Sequence, residues 1–191
     1  MPGLHPAAAA PLRDAVTRRL DVRRLVSADQ DDLAVLFDDP EVCRFDTTVE
    51  ETGAFFDRQM RLWTAHGFGG CAVRDLGDGR FLGVVGLGVP TLEHPRLPSV
   101  TIGWRFSSTA WGRGYATESG AALLDQAFGP MQLDRIGCVT RADNHHSIAV
   151  ARRLGMNDVA RETVPQNEGD SAVTALILEI DHDGWRARRR E

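Results

Sequence analysis

Residues Trp111-Gly112-Arg113-Gly114-Tyr115-Ala116-Thr117-Glu118 most constrain what this chain can fold into, because they set two glycines between a strand pattern and a helix pattern. Upstream, Val100, Ile102, Trp104 and Phe106 alternate with Thr101, Gly103 and Arg105, the period of a half-buried strand. Downstream, Gly120, Leu123, Leu124, Ala127, Phe128 and Met131 recur at helical spacing. A glycine-bearing loop that runs from a strand into a helix is a backbone cradle for an anion. Glycine admits positive φ and leaves no side chain between main chain and ligand, and the N–H groups converge at the positive end of the helix dipole. The spacing therefore predicts a site for a phosphate compound.

Composition narrows the partners. With 191 residues, 42% of them hydrophobic and 26% charged, the chain can bury a core as one domain. We expect a mobile leader over residues 1–16, a single domain over 17–182 and a basic tail over 183–191. A net charge of −5 and a pI near 5.7 argue against nucleic acid or an anionic membrane as partner. The Arg186, Arg188, Arg189, Arg190 cluster reads as a solvated tail. No apolar run approaches the ~20 residues of a membrane helix, and residues 1–11 lack the basic start of a signal peptide. Cys43, Cys71 and Cys138 are odd in number and far apart, so neither a disulfide framework nor a zinc site is indicated, and a reducing cytoplasm is the expected compartment. Cys138 lies in an apolar run, as a small buried hydrophobe would. Adjacent His145 and His146 diverge on a helix and no ligand recurs at i+4, so no metal site is expected. Trp185 is assigned to packing, and Asp29, Asp31 and Asp32 to helix-start electrostatics.

The remaining elements follow from pattern. Residues 20–26 read as a strand; Ser27 with Gln30 forms a capping box for a helix that buries Leu33, Leu36 and Phe37 and stops at Asp39-Pro40. Thr48 with Glu51 predicts a second capped helix, with Phe56, Met60 and Trp63 on one face and Gly67 as its end. Residues 71–74 and 81–89 read as a hairpin across Gly77-Asp78-Gly79, with Phe81, Val85, Leu87 and Val89 sharing one face and Gly86 and Gly88 leaving the other bare. A proline-rich loop over 90–98 follows. Residues 136–140 read as a strand, Asn144 as the start of a helix through Ile148, Ala151 and Leu154 to Gly155, and residues 172–180 as a central or well-covered strand.

A Walker loop requires Gly-Lys-Ser/Thr, which is missing, and a dinucleotide fingerprint requires a third glycine and an acidic residue at a strand tip, whereas Asp134 opens the wrong element. The segment Trp111 to Glu118 instead resembles the pyrophosphate loop of GNAT acetyltransferases, and most closely that of their ribosomal-protein N-acetyltransferase branch. Asn144-His-His-Ser147-Ile-Ala-Val-Ala151-Arg-Arg-Leu154-Gly155-Met156 is similar to the branch's Asn-x-x-Ser helix ending in Leu-Gly-Phe/Met, and Asp39-Pro40-Glu41-Val42 and Ile102-Gly103-Trp104 are further matches.

The resemblance implies an α/β fold: a mixed, mostly antiparallel sheet of six to seven strands, flanked by about four helices and split between the fold's fourth and fifth strands by acetyl-CoA. It implies that Trp104, Arg105 and Phe106 pair with pantetheine through their backbones, and that the N–H groups of Gly112, Arg113, Gly114, Tyr115, Ala116 and Thr117 hold the pyrophosphate, with charge added by Arg113. Asn144 would meet the pantetheine amide or serve as a plain helix cap, and Ser147 would contact the cofactor. No metal is implied. The activity implied is acetyl transfer to a primary amine, a protein N-terminus or a small-molecule amine, by direct attack in a ternary complex, with the backbone amide near Phe106 as oxyanion donor. A homodimer is left open.

Two positions depart from the family pattern. The tyrosine that protonates the leaving thiolate in many relatives is replaced by Ala151, and the only tyrosine, Tyr115, lies in the cradle. Ser147 is then the candidate acid. The glutamate that often precedes Ile-Gly is replaced by Thr101, so the base candidates are Glu93 and His94 in the preceding loop, with Glu162 or Glu168 before the last strand. Two alternatives remain beside this reading: an acyl-CoA-binding or regulatory protein that has lost its chemistry, and transfer from another donor such as succinyl-CoA.

Overall fold

The computed structural model describes residues 8–45, 51–90, 92, 94–165 and 172–190. Strands β1 (Ala15–Val16) and β2 (Leu20–Arg24) precede a short 3-10 turn and helices α1 (Gln30–Phe37), α2 (Pro40–Cys43) and α3 (Thr52–His66). Strands β3 (Gly70–Asp75), β4 (Phe81–Gly88) and β5 (Thr101–Phe106) then lead into α4 (Tyr115–Phe128), β6 (Arg135–Arg141) and α5 (His145–Arg153). The chain continues through β7 (Asn157–Pro165), β8 (Ala172–Asp181) and α6 (His182–Arg188). The sheet order is β1-β2-β3-β4-β5-β6-β8-β7. β5 and β6 run parallel and the other neighbours antiparallel, as a mixed, mostly antiparallel fold requires. Among the described residues eight strands, including the two-residue β1, and six helices stand against the six to seven and about four expected.

Each face of the sheet has its own apolar cover. Leu33 and Leu36 of α1 and Phe55 and Phe56 of α3 pack with Leu25, Ala72 and Val84 on one side. Leu123 and Leu124 of α4, Ile148 of α5 and Trp185 of α6 pack with Val85, Leu87, Ile102 and Phe106 on the other. Strand β8 lies between β6 and β7 with Ala175, Leu176, Ile177 and Leu178 all buried, so its run of apolar residues marks a central strand.

Several expectations are corrected by packing. From Ala8 onward the expected leader is attached: Leu12 is buried, its N–H donates to Gly67 O, and the N–H of Ala9 donates to Met131 O. The expected basic tail forms α6, which buries Trp185, whose Nε1 donates to Asp125 Oδ1 at 3.1 Å. Ser27 makes no capping bond; Asp29, two residues on, takes the Val26 N–H instead. Helix α3 begins after Glu51, and Thr48 lies outside the described residues. In β4 one residue is inserted, with Val73 opposite Gly83 and Arg74 opposite Phe81, so that Phe81 turns to the α1 and α3 side while Leu82, Val85 and Leu87 face α4.

Asp29 is a buried hub, not the surface charge its acidic neighbours suggested. It is 0% exposed and accepts two hydrogen bonds from Arg23 at 2.9 and 2.7 Å, one from Arg74 at 3.0 Å and one from Val26 N–H at 3.0 Å. Burial alone would raise its pKa, but the Arg23, Val26 and Arg74 hydrogen bonds outweigh it and hold the carboxyl below its usual range. A depressed folded-state pKa contributes stability above the unfolded value of about 3.9, and that contribution is lost as pH falls through the folded value. Asp29→Ala leaves two partly buried guanidiniums without their shared partner and is expected to cost about 3 kcal/mol, or a fall of roughly 6–12 °C in Tm at neutral pH. Thermal melts from pH 7 to pH 3 check this: the gap between wild type and variant narrows as pH drops through the carboxylate range.

Candidate active site

β5 and β6 share one registered pair, Thr101 opposite Gly137, where the Gly137 N–H donates to Val100 O at 3.0 Å. Beyond it they separate, because β6 keeps its ladder with β8 to Arg141 opposite Ala175 while β5 keeps its ladder with β4 to Phe106 opposite Gly83. Strand alternation fixes what faces the gap. Val100 O points at β6 and Ser107 N–H bonds Leu82 O on the β4 side, so the backbone groups of Trp104 and Phe106 point into the opening, whereas those of Arg105, expected to pair with the cofactor, face Val84 of β4. The opening is a groove of about 1790 Å³. Trp104, Arg105, Phe106, Gly112, Arg113, Gly114, Tyr115, Ala116, Thr117, Asn144 and Ser147 all line it, so the structure gathers every residue assigned to the cofactor from sequence.

The cradle has the geometry the glycines promised. Gly112 and Gly114 adopt φ of +74° and +79°, and Gly114 caps α4, turning the first N–H groups of the helix toward the groove mouth. A Cβ at Gly112 would meet nothing within 4 Å, so the space above the loop is open. Thr117 Oγ1 is buried with no hydrogen-bond partner among the described residues, and Thr117 lines the groove. An orphaned buried hydroxyl beside convergent amides fits a phosphate-bearing ligand.

The loop is braced from the turn between β1 and β2, a support invisible in the motif. Arg19 bonds Glu118 through Nε at 2.8 Å and Nη2 at 2.7 Å, donates from Nη2 to Arg113 O at 3.0 Å, and stacks over Tyr115 at 4.7 Å. Burial would raise the pKa of Glu118, but the Thr17 and Arg19 hydrogen bonds carry it below its usual value, so the brace is an ion pair at neutral pH. Tyr115 is buried with its hydroxyl toward Asp75 Oδ2 at 3.4 Å, in keeping with a structural tyrosine.

Trp111 holds the mouth together. Its Nε1 donates to Phe106 O at 2.8 Å and its ring packs against His146 at 5.4 Å, linking the loop to α5 across the opening. Asn144 caps α5, with Oδ1 accepting the Ser147 N–H at 3.1 Å, so the cap and the ligand-facing reading are compatible: Oδ1 serves the helix and the NH2 group is left for the groove. Ser147 Oγ bonds no other described residue. Ala151 is fully buried in the core and offers no acid. Cys138 lines the groove, but burial pushes its thiol up to about 12, so it stays protonated at neutral pH.

The base candidates are not gathered in the same way. Thr101 lines the groove and its hydroxyl donates to Gly88 O at 3.3 Å. His94 is outside the lining: Nδ1 accepts the Arg96 N–H at 3.1 Å and Nε2 meets Glu162 Oε1 at 2.8 Å, which engages both ring nitrogens. Glu93 and Glu168 lie outside the described residues. Among the described residues no cluster of His, Cys, Asp and Glu is placed to hold a metal ion, and no helix is long and apolar enough to cross a membrane.

The sequence matches the family model of the acetyltransferase (GNAT) domain over residues 19–157, and the chain belongs to that family. It is 36% identical over 55 residues to a protein of Bacillus subtilis (strain 168) described as the uncharacterized N-acetyltransferase YnaD, a match covering 29% of this chain and 32% of that protein. The chain thus spans about a third of the length of that curated relative. Among solved structures it is similar to an acetyltransferase from Agrobacterium tumefaciens str. C58, with a TM-score of 0.72, 24% identity, and 88% of this chain and 94% of that one covered. RimJ of Mycobacterium smegmatis in complex with CoA-disulfide gives a TM-score of 0.73 at 20% identity, with 98% of each chain covered. Ribosomal-protein-S5-alanine acetyltransferase of Vibrio fischeri gives 0.73 at 16%, with 90% of this chain and 98% of that one covered. At these identities the likeness is one of fold.

Proposed function

We propose that the chain is an acetyl-CoA-dependent N-acetyltransferase that acylates a primary amine by direct attack in a ternary complex, in the cytoplasm. The observation that carries this reading is the unpaired edge of β5 opening onto the glycine cradle: a run of main-chain donors and acceptors ends at an anion site, as a pantetheine arm with a pyrophosphate requires. A solved neighbour of the same fold carries CoA-disulfide, which agrees with that assignment.

Bound here, acetyl-CoA supplies an activated acyl group as a thioester. Trp104 and Phe106 hold the pantetheine arm through their backbones, and Gly112 to Thr117 hold the pyrophosphate. The N–H of Phe106, directed into the gap, is aimed to stabilise negative charge on the carbonyl oxygen as the amine adds. The C–N bond forms, the C–S bond breaks, and Ser147 Oγ donates its proton to the departing sulfur. Water in the groove reprotonates Ser147 and takes up the proton the amine loses, so the balance moves one amine proton to the CoA thiol. With Thr101 where relatives carry a carboxylate, the rate follows the fraction of acceptor already neutral. An α-amine with a pKa near ~8 is therefore a better substrate at neutral pH than a lysine near ~10.4.

The reading is tested by thiol release from acetyl-CoA with a panel of peptides, polyamines and aminoglycosides between pH 6 and 9. Amine-dependent release is expected; tight binding with no turnover on any amine would favour an acyl-CoA-binding protein, and faster release from succinyl-CoA would change the donor. In the same assay Ser147→Ala is expected to lower kcat about 10-fold, because a thiol of pKa near ~8.5 places a modest demand on its acid, with the Kd for acetyl-CoA within about twofold. If kcat were unchanged and only KM for acetyl-CoA rose, Ser147 would be a binding residue alone.

A further inference from the structure

The groove runs on past the cradle along one face of α5. His146, Ala149, Val150 and Arg153 line it, and positions so spaced share one side of a helix. His146 marks the mouth, where its ring meets Trp111. Arg153 stands about 10 Å further along the helix axis. There α5 comes against α4, because Leu154 Cδ1 would lie 3.0 Å from a Cβ built on Gly120. Gly120 follows Thr117, with its unpartnered hydroxyl, by one turn or about 5 Å, so Arg153 adjoins the anion site just beyond its edge.

Five arginines line the groove, and they differ in what holds them. Arg141 is engaged by Asp143 through two bonds at 2.9 and 2.7 Å, and Arg58 and Arg105 lie toward α3, over Phe55 at 5.3 and 5.9 Å. Arg113 and Arg153 are exposed, and among the described residues neither guanidinium has a hydrogen bond or an ion pair. Glu118, the carboxylate of the cradle, is already paired with Arg19. The field at a helix C-terminus favours a basic residue in the last turn of α5, but Arg152 takes Asp158 at 3.0 Å while Arg153 lines the groove without a partner. A chain of net charge −5 thus keeps two uncompensated guanidiniums beside its anion site. A ligand with one anionic group at the cradle and a second a short step beyond it satisfies both.

We infer that Arg153 binds the 3′-phosphate carried by the ribose of CoA, so that the chain distinguishes acetyl-CoA from acetyl-3′-dephospho-CoA. The inference rests on the acyl-CoA reading of the groove. In CoA one furanose ring separates the pyrophosphate at C5′ from the phosphate at C3′, a step that suits the single helical turn between Thr117 and the Gly120–Leu154 contact beside Arg153. Arg113 then serves the pyrophosphate and Arg153 the monoester, which carries close to two charges at neutral pH and presents its oxygens to the guanidinium fork.

Calorimetric titration with acetyl-CoA and with acetyl-3′-dephospho-CoA tests it. Wild type is expected to bind acetyl-CoA about 10-fold more tightly than the dephospho form, with the gap shrinking as added salt screens the pair. Arg153→Gln is expected to weaken acetyl-CoA about 10-fold and to leave the dephospho form within about twofold, with Tm unchanged because no contact within the fold is lost. Arg153→Lys, which keeps the charge without the fork, falls between the two. Equal affinity of wild type for both ligands, or an undiminished gap in Arg153→Gln, would overturn the inference and leave the acyl-CoA site standing. No saturable binding of either ligand would overturn both.

Discussion

Gly83→Ala is expected to lose about 4 kcal/mol of stability, a fall of roughly 8–16 °C in Tm, and to lose acyl-CoA binding in whatever protein remains folded. Gly83 sits in the irregular stretch of β4 with φ of +151°, a conformation that L side chains rarely adopt. A Cβ there would lie 2.3 Å from Arg105 O and 2.6 Å from Phe106 Cα. Both neighbours are backbone of the adjacent strand, so no rotamer change relieves the contact, and β5 must move away from β4. The same displacement carries off the Phe106 N–H and the Trp111–Phe106 hydrogen bond at the mouth of the groove. Thermal melts and acetyl-CoA titration of one sample separate the two effects. A variant with wild-type Tm would show that β5 does not need this close approach.

Gly114→Val is expected to weaken acetyl-CoA binding about 100-fold while Tm falls by only a few degrees. Gly114 at φ of +79° is the N-cap of α4, and a β-branched residue is strongly disfavoured there. If the loop keeps its conformation, the variant bears about 1–2 kcal/mol of backbone strain and presses its methyls on Arg19, whose Nη2 lies 3.6 Å from a Cβ built at Gly114. If the loop relaxes instead, the N–H groups at the start of α4 turn away from the anion. Either course removes several charge-assisted hydrogen bonds, and about 3 kcal/mol of them corresponds to the stated loss. Calorimetric titration against wild type checks it, with Gly114→Ala giving a smaller loss because alanine lacks the branch. An unchanged Kd in Gly114→Val would place the pyrophosphate elsewhere.

The parts of the site that were legible in sequence are those whose chemistry is local. The cradle is a run of neighbouring N–H groups, so its glycines and the helix that follows announce it, and the Asn144 cap and Ser147 sit three residues apart on one turn. What was hidden depends on register and on distant partners. The inserted residue in β4 arises from its pairing with β3, and it moved Phe81 to the opposite face from Val85. The close approach of the Gly69–Gly70 backbone to Gly86, where a Cβ would lie 2.8 Å from Gly69 O, exists only once β3 and β4 are aligned, although the lack of a side chain at Gly86 was already visible. Asp29 looked like one charge in an acidic run because Arg74, one of its partners, lies 45 residues away. β7 was missed because it is an edge strand whose exposed polar residues carry no clear alternation, and α6 because a short arginine-rich helix is held by Trp185 and not by its own periodicity.

We propose that the opening between β5 and β6, ending at the Gly112–Gly114 cradle, holds an acyl-CoA. The most direct test is a calorimetric titration of the wild-type chain with acetyl-CoA and, in parallel, with S-acetylpantetheine, which has the arm but no pyrophosphate. Saturable one-to-one binding of acetyl-CoA, with S-acetylpantetheine weaker by about 100-fold or more, is the predicted result. Equal affinity for the two ligands, or no saturable binding of acetyl-CoA, would contradict it.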